Sequence, residues 1–150
     1  MNGFAAFLQD LCFAIACAPG YVFFLLASML WSYAFFCLPV FLLLRLAFAV
    51  VWKVRGISPP RVLGLADAAA LLAAPFVWGA LEHVGQGKSL SNLAIELAVI
   101  GWVWCLCLGV RYFLATKDVP RRPGSGGLPT LAAVLLAAAL LAVFFPVLPE

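Results

Sequence analysis

Residues 21–52 read YVFFLLASMLWSYAFFCLPVFLLLRLAFAVVW, an apolar run that decides the fold class. Only Ser28, Ser32, Pro39 and Arg45 interrupt it. A helix rises about 1.5 Å per residue, so about 20 residues cross the ~30 Å hydrocarbon core of a bilayer. The run is too long for one upright span, and it has no Gly, Asn or Asp to form a hairpin turn. It predicts one tilted helix, kinked near Pro39, whose end projects past the membrane.

The composition of the whole chain also points to lipid as the solvent. Hydrophobic residues make up 67 % of its 150 residues, charged residues make up 10 %, and the mean hydropathy is +1.15. A soluble domain carries about 25 % charged residues, and a small globule buries only about two-thirds of the surface of its unfolded chain. We therefore expect an all-α, polytopic membrane protein with a single integral membrane domain, residues 1–150.

The apolar segments and the breaks between them predict the spans. Four transmembrane helices are expected at about residues 21–52, 62–81, 90–115 and 128–148. Residues 2–18 are apolar but short, and Phe4, Phe7 and Leu8 recur at helical spacing. This pattern favours a short N-terminal helix that is interfacial or re-entrant. A fifth span within residues 1–20 is the alternative.

The basic residues lie on one side of this predicted topology. They occupy the loops after the first and third spans, as Lys53, Arg55, Arg61, Lys117, Arg121 and Arg122. The loop between the second and third spans carries Glu82, His83 and Lys88. By the positive-inside rule, we expect both basic loops to face the cytoplasm of the cell inner membrane, with both termini outside. A fifth span would place the N-terminus inside.

Two charged residues fall at similar predicted depths in the first two spans. Arg45 lies roughly 10 Å inside the basic-loop boundary and Asp67 roughly 8 Å inside it, at 1.5 Å per residue. Since spans joined by a short loop are usually neighbours, we hypothesise an intramembrane Arg45–Asp67 ion pair that sets the register of the first hairpin. Arg111, near the same side, is a competitor for Asp67. The alternative is that the arginines extend to the headgroups while Asp67 reaches the interface alone.

Glu96 is a candidate functional or partner-binding acid. It lies about five residues inside the boundary opposite the basic loops, with no base at its depth within a predicted span. His83 and Lys88, in the preceding turn, are the nearby candidates. An intramembrane acid without a partner suggests cation or proton binding, or a pair with another subunit. The alternative is a carboxylate near the start of a helix, favoured by the helix dipole and reaching water.

The residues expected of catalysis or cofactor binding are few. His83 is the single histidine, and two axial histidines for a haem cannot come from this chain. Cys105 and Cys107 point about 200° apart on a helix, so they are not expected to chelate one metal ion. We see no Cys-x-x-Cys, zinc, nucleophile-elbow or phosphate-loop motif. The sequence therefore predicts a non-enzyme without cofactor or metal, and the cysteines are interpreted as small apolar packing residues.

The favoured function is that of a non-enzymatic subunit, or an accessory or assembly factor, of a larger membrane complex. Alternatives are an oligomeric small-solute or ion transporter component, with Arg45, Asp67 and Glu96 along its path, and a membrane immunity or exclusion protein. A lipid-modifying enzyme ranks last. The expected partners are the lipid bilayer and other membrane subunits, or a second copy through the small residues of the fourth span. The net charge of +3 gives no reason to expect nucleic-acid binding.

Overall fold

The computed structural model describes residues 18–59, 62–82, 88, 90–117 and 127–146. Within these residues the chain forms four helices and no strand: α1 (Ala18–Arg55), α2 (Leu65–Glu82), α3 (Leu90–Ala115) and α4 (Gly127–Phe144). The predicted N-terminal helix at residues 2–18 lies almost wholly outside the described residues. So do His83, Arg61, Arg121 and Arg122, on which part of the predicted orientation depends.

Three of these helices are long and apolar enough to cross a membrane. They are Ala18–Arg55 with 38 residues, Asn92–Ala115 with 24 and Gly127–Phe144 with 18. The apolar part of α2, Leu65–Leu81, is shorter than the others. The predicted span at 62–81 therefore corresponds to a helix whose length alone does not establish a crossing. The predicted all-α fold is confirmed for the described residues, and three of their helices are compatible with the predicted membrane location.

The first predicted span forms a single helix with one irregular turn. Tyr33–Cys37 is a π-helical turn, and the Leu38 N–H donates to the Tyr33 carbonyl five residues earlier. Pro39 follows directly, and proline removes a backbone donor while its ring crowds the carbonyl four residues before it. A π-turn widens the helix next to such a position and accommodates the crowding. The irregularity expected near Pro39 thus lies just before that residue.

Helices α2, α3 and α4 form a bundle in which α2 and α4 make the most extensive contact. Small side chains allow their close approach, because Ala70 and Ala74 of α2 and Ala138 of α4 are fully buried. The two helices also approach closely at Gly127, since a Cβ there would lie 2.7 Å from the Ala66 Cβ. The small residues of the last helix therefore pack within the chain. Association with a second copy remains a prediction.

The first half of helix α1 meets α2, where a Cβ on Gly79 would lie 2.7 Å from the Tyr21 hydroxyl oxygen. Its later part, residues 33–55, packs on α3, and most of the surface of α1 lies outside the bundle. The two helices approach closely where a Cβ on Gly101 would lie 2.9 Å from the Cys37 Cβ. Farther along, Phe48 and Trp52 of α1 pack around the buried Tyr112 ring of α3. Only 6 % of the most apolar 18-residue window of α1 is buried, against 50 % for α3. The core of the molecule therefore lies mainly between α2, α3 and α4, and α1 adds Leu25, Cys37 and Trp52 to it.

Candidate functional site

One polar cluster, the Asp67 cluster, joins the start of α2, the end of α3 and the start of α4. Arg111 donates through Nη1 to Asp67 Oδ1 and to Thr130 Oγ1, the latter at 3.2 Å. Its Nη2 donates to the Val62 carbonyl. The second carboxylate oxygen of Asp67 accepts the Gly64 N–H at 2.7 Å. Both charges thus have hydrogen-bond partners besides each other, as buried ions require.

Local sequence explains the position of Asp67. It lies in the first turn of α2, where a carboxylate accepts free N–H groups and is stabilised by the helix dipole. Its side chain is fully buried, and its backbone carbonyl accepts the Trp104 Nε1–H at 3.1 Å. The aspartate therefore caps α2 and links it to α3 at the same point.

The predicted Arg45–Asp67 ion pair needs correction, because Arg111 takes that place. Arg45 is exposed on α1. The part of α1 that carries it, Leu38–Arg55, packs against α3 rather than against α2. The hypothesis assumes that consecutive spans are neighbours, but this half of α1 is not a neighbour of α2. Arg111 had been recognised as a competitor, and it lies on the helix that does reach Asp67.

A second polar cluster, the Glu96 cluster, lies at the other end of the bundle. Glu96 is fully buried, and its Oε2 accepts the Trp78 Nε1–H at 2.6 Å. Its Oε1 accepts from Lys88 Nζ at 2.9 Å and from Asn92 Nδ2 at 3.4 Å. The Lys88 and Glu96 side chains are only 1 % and 0 % exposed. Glu96 thus has an intramolecular base, and the alternative in which it reaches water does not fit its burial.

The Glu96 cluster also holds the end of α4. Lys88 Nζ donates to the Leu141 carbonyl at 2.7 Å, and Asn92 Nδ2 donates to the Pro146 carbonyl at 3.0 Å. Cations and amide donors are favourable at a helix C-terminus, where carbonyls lack intrahelical partners. The Lys88 ammonium also lies 5.9 Å from the centroid of the Phe145 ring. One lysine therefore joins the start of α3 to the end of α4.

Sequence reasoning missed part of this second cluster. The sequence indicates Lys88 as a nearby base, but it does not connect Trp78 or Asn92 with Glu96. The i, i+4 spacing of Asn92 and Glu96 was a usable signal, since such residues share a helix face. The hydrogen bond from Trp78 to Glu96 could not be predicted from the sequence, because it depends on how α2 and α3 pack.

The two clusters lie far apart along α3. Glu96 and Arg111 are separated by fifteen residue steps, roughly 22 Å at the helical rise, and no charged residue occurs between them. Each cluster contains one carboxylate and one cation that bond to each other and to backbone groups. Such an arrangement fixes helices in register rather than presenting a reactive group. Within the described ranges, no group of three or more His, Cys, Asp or Glu could hold a metal ion.

The thiols form a contact that sequence did not predict. Cys37, in the π-turn of α1, and Cys105 of α3 lie 3.6 Å apart between their sulfur atoms, and both are buried. The Cys37 thiol also donates to the Gly101 carbonyl at 3.5 Å. Cys107 lies on a different face of α3 and is partly exposed. The pair therefore lies at a close contact between α1 and α3.

No family model, curated protein or solved structure matches this chain. Its class therefore follows from its own fold: the part of the chain that the structure describes is all-helical, and three of its helices are long and apolar enough to cross a membrane.

Proposed function

We propose that this chain is a non-enzymatic subunit, or an accessory or assembly factor, of a larger membrane complex, and that α1 is its docking helix. The length of α1 carries the proposal. Its 38 residues extend roughly 57 Å at the helical rise, nearly twice the ~30 Å hydrocarbon core. Transmembrane helices tilt by about 0–40°, which is too little to place such a length wholly in lipid. Part of its apolar surface therefore needs protein cover.

The side chains on α1 support this interpretation. Bulky apolar groups are exposed along the helix, among them Trp31 and Phe35, which stack on each other at 4.3 Å between ring centroids. Aromatic residues are enriched at the centres of protein interfaces. The bundle, by contrast, satisfies its buried carboxylates internally, through Arg111 and through Lys88. The transporter alternative needs polar groups aligned along a path through the bundle. The two ion pairs among the described residues lie at opposite ends of the bundle and do not form such a path.

The proposal includes a topology. We propose that α2 is a fourth, shorter span, because it packs along α4 and its ends lie in the two polar clusters. The end of α1, with Lys53 and Arg55, and the turn after α3, with Lys117, then share one side. The positive-inside rule assigns that side to the cytoplasm of the cell inner membrane. Reporter fusions after Lys53 and after Lys117 should both read as cytoplasmic. A reporter found outside at either position would contradict this topology.

Co-purification tests the docking role. The tagged chain, extracted from native membranes in mild detergent, should elute with a larger membrane assembly. Trp31→Ala together with Phe35→Ala should lose that assembly, because the exposed aromatic pair is removed. Leu136→Ala together with Leu140→Ala, a matched change on the exposed face of α4, should retain it.

Two results would contradict the docking role. The first is a chain that purifies without any larger assembly, or an assembly that is lost equally in the α1 double variant and in the α4 double variant. The second is a stable homo-oligomer whose solute flux in liposomes is abolished by Glu96→Gln without unfolding, which would establish the transporter alternative.

A further inference from the structure

A groove of about 520 Å³ runs between α1 and α3 on the outside of the bundle. Its lining is apolar and includes Leu44 and Phe48 from α1, with Leu106, Gly109 and Phe113 from α3. At Gly109 the two helices come close to each other, because a Cβ there would lie 3.3 Å from a Leu44 methyl group. The volume lies in the range of about 300–1,000 Å³ that is typical of small-molecule sites.

The length of the groove matches one leaflet of a bilayer. It extends along α3 from Trp102 to Phe113, eleven residue steps or roughly 16 Å at the helical rise. Half of the ~30 Å hydrocarbon core is about 15 Å. At the deep end, the Trp102 Nε1–H donates to the Phe36 carbonyl at 3.1 Å and joins the two helices. An acyl chain entering from one leaflet would therefore fill the groove to its end.

Two cations lie where the groove meets the basic-loop side. Lys117 Nζ lies 4.6 Å from the centroid of the Phe113 ring, which lines the groove. Arg55, at the end of α1, donates to the Thr116 carbonyl at 3.4 Å, next to Lys117. Both side chains are exposed. Each of the two helices that form the groove thus supplies one cation at the same end.

We propose that this groove binds an anionic phospholipid, with an acyl chain against Leu106 and Gly109 and the phosphate between Arg55 and Lys117. Basic residues at the cytoplasmic ends of transmembrane helices attract anionic headgroups, and a guanidinium matches phosphate geometry with paired donors. The apolar groove and the cations at its mouth together select a lipid over a free phosphate. The site rests on the membrane location and not on the docking role of α1.

Native mass spectrometry with defined lipids tests the headgroup contact. The purified chain is exchanged into nanodiscs of equal phosphatidylglycerol and phosphatidylcholine, released, and scored for retained lipid. The wild type should retain phosphatidylglycerol preferentially. Arg55→Gln and Lys117→Gln should each lower that preference about fivefold. Lys53→Gln is the matched control, because Lys53 lies two residues before Arg55 and therefore about 200° around the helix.

Filling the groove tests the acyl-chain contact separately. Leu106→Trp replaces the leucine side chain with a larger indole ring in the groove and should reduce retention of both lipids. Leu136→Trp, at a comparably exposed leucine of α4, should leave retention unchanged. Equal retention by the Arg55→Gln, Lys117→Gln and Lys53→Gln variants would overturn the headgroup site, and unchanged retention in Leu106→Trp would overturn the groove. A protein segment found cross-linked in the groove instead of lipid would also overturn the proposal.

Discussion

Helix α1 and the α2–α4 bundle differ in how the same apolar composition is used. The bundle buries a carboxylate and a cation at each end, and these pairs fix three helices against one another. The contacts described between α1 and the bundle are close approaches at three glycines, a thiol pair, aromatic packing and hydrogen bonds to backbone carbonyls. Apolar burial discriminates little between helices in lipid. The buried ion pairs, together with the small residues between α2 and α4, therefore explain why these three helices form one unit and α1 lies largely outside it.

The largest effect is expected from breaking the Glu96 cluster. Glu96→Gln leaves the Lys88 ammonium buried without its counter-ion, which should lower the free energy of unfolding by about 3 kcal/mol or more. Thermal unfolding in mild detergent measures this change. Replacing both residues, Lys88→Met with Glu96→Leu, should be less harmful than Glu96→Gln because no charge is stranded. A Glu96→Gln variant as stable as the wild type would contradict the role of this cluster.

The Asp67 cluster should show the next largest effect and decide between two arginines. Arg111→Gln should lower the free energy of unfolding by about 2–3 kcal/mol, somewhat less than at Glu96 because Arg111 is 14 % exposed and reaches solvent more easily. Arg45→Gln, at an exposed position, should change it by less than about 0.5 kcal/mol. Charge reversal at Asp67 should be rescued by reversal at Arg111 and not at Arg45. Rescue by Arg45 would restore the pair expected from sequence.

A smaller effect is expected where α1 meets α3. Gly101→Ala should lower the free energy of unfolding by about 1–2 kcal/mol, since the added methyl group overlaps the Cys37 Cβ. Gly20→Ala is the matched control, because nothing lies within 4 Å of a Cβ there; helix propensity should make it neutral or stabilising.

Disulfide trapping gives an independent reading of that contact. Mild oxidation in the membrane should link Cys37 to Cys105 and leave Cys107 free, and Gly101→Ala should reduce the yield. Linkage that is insensitive to Gly101→Ala, or that involves Cys107, would contradict the close approach of α1 and α3.

Much of the fold could be predicted from the sequence because it depends on local properties. The apolar run at residues 21–52 and the breaks after it give the helices and their order. The polar contacts could not be predicted, because they depend on which helices are neighbours. Arg45 and Asp67 lie at matching predicted depths, but the part of α1 that carries Arg45 packs on α3. Depth alone therefore predicted the wrong arginine as the ion-pair partner of Asp67. The Cys37–Cys105 contact likewise follows from the π-turn and Gly101, which periodicity does not reveal.

Site-specific photocross-linking in native membranes shows whether α1 is the helix that docks onto a partner chain. A photoreactive residue at Leu30 or Leu46, both exposed on α1, should form protein adducts with a partner chain. The same residue at Leu136, exposed on α4, should form lipid adducts alone. Protein adducts confined to α1 are the predicted result, and lipid adducts alone from all three positions would contradict the account.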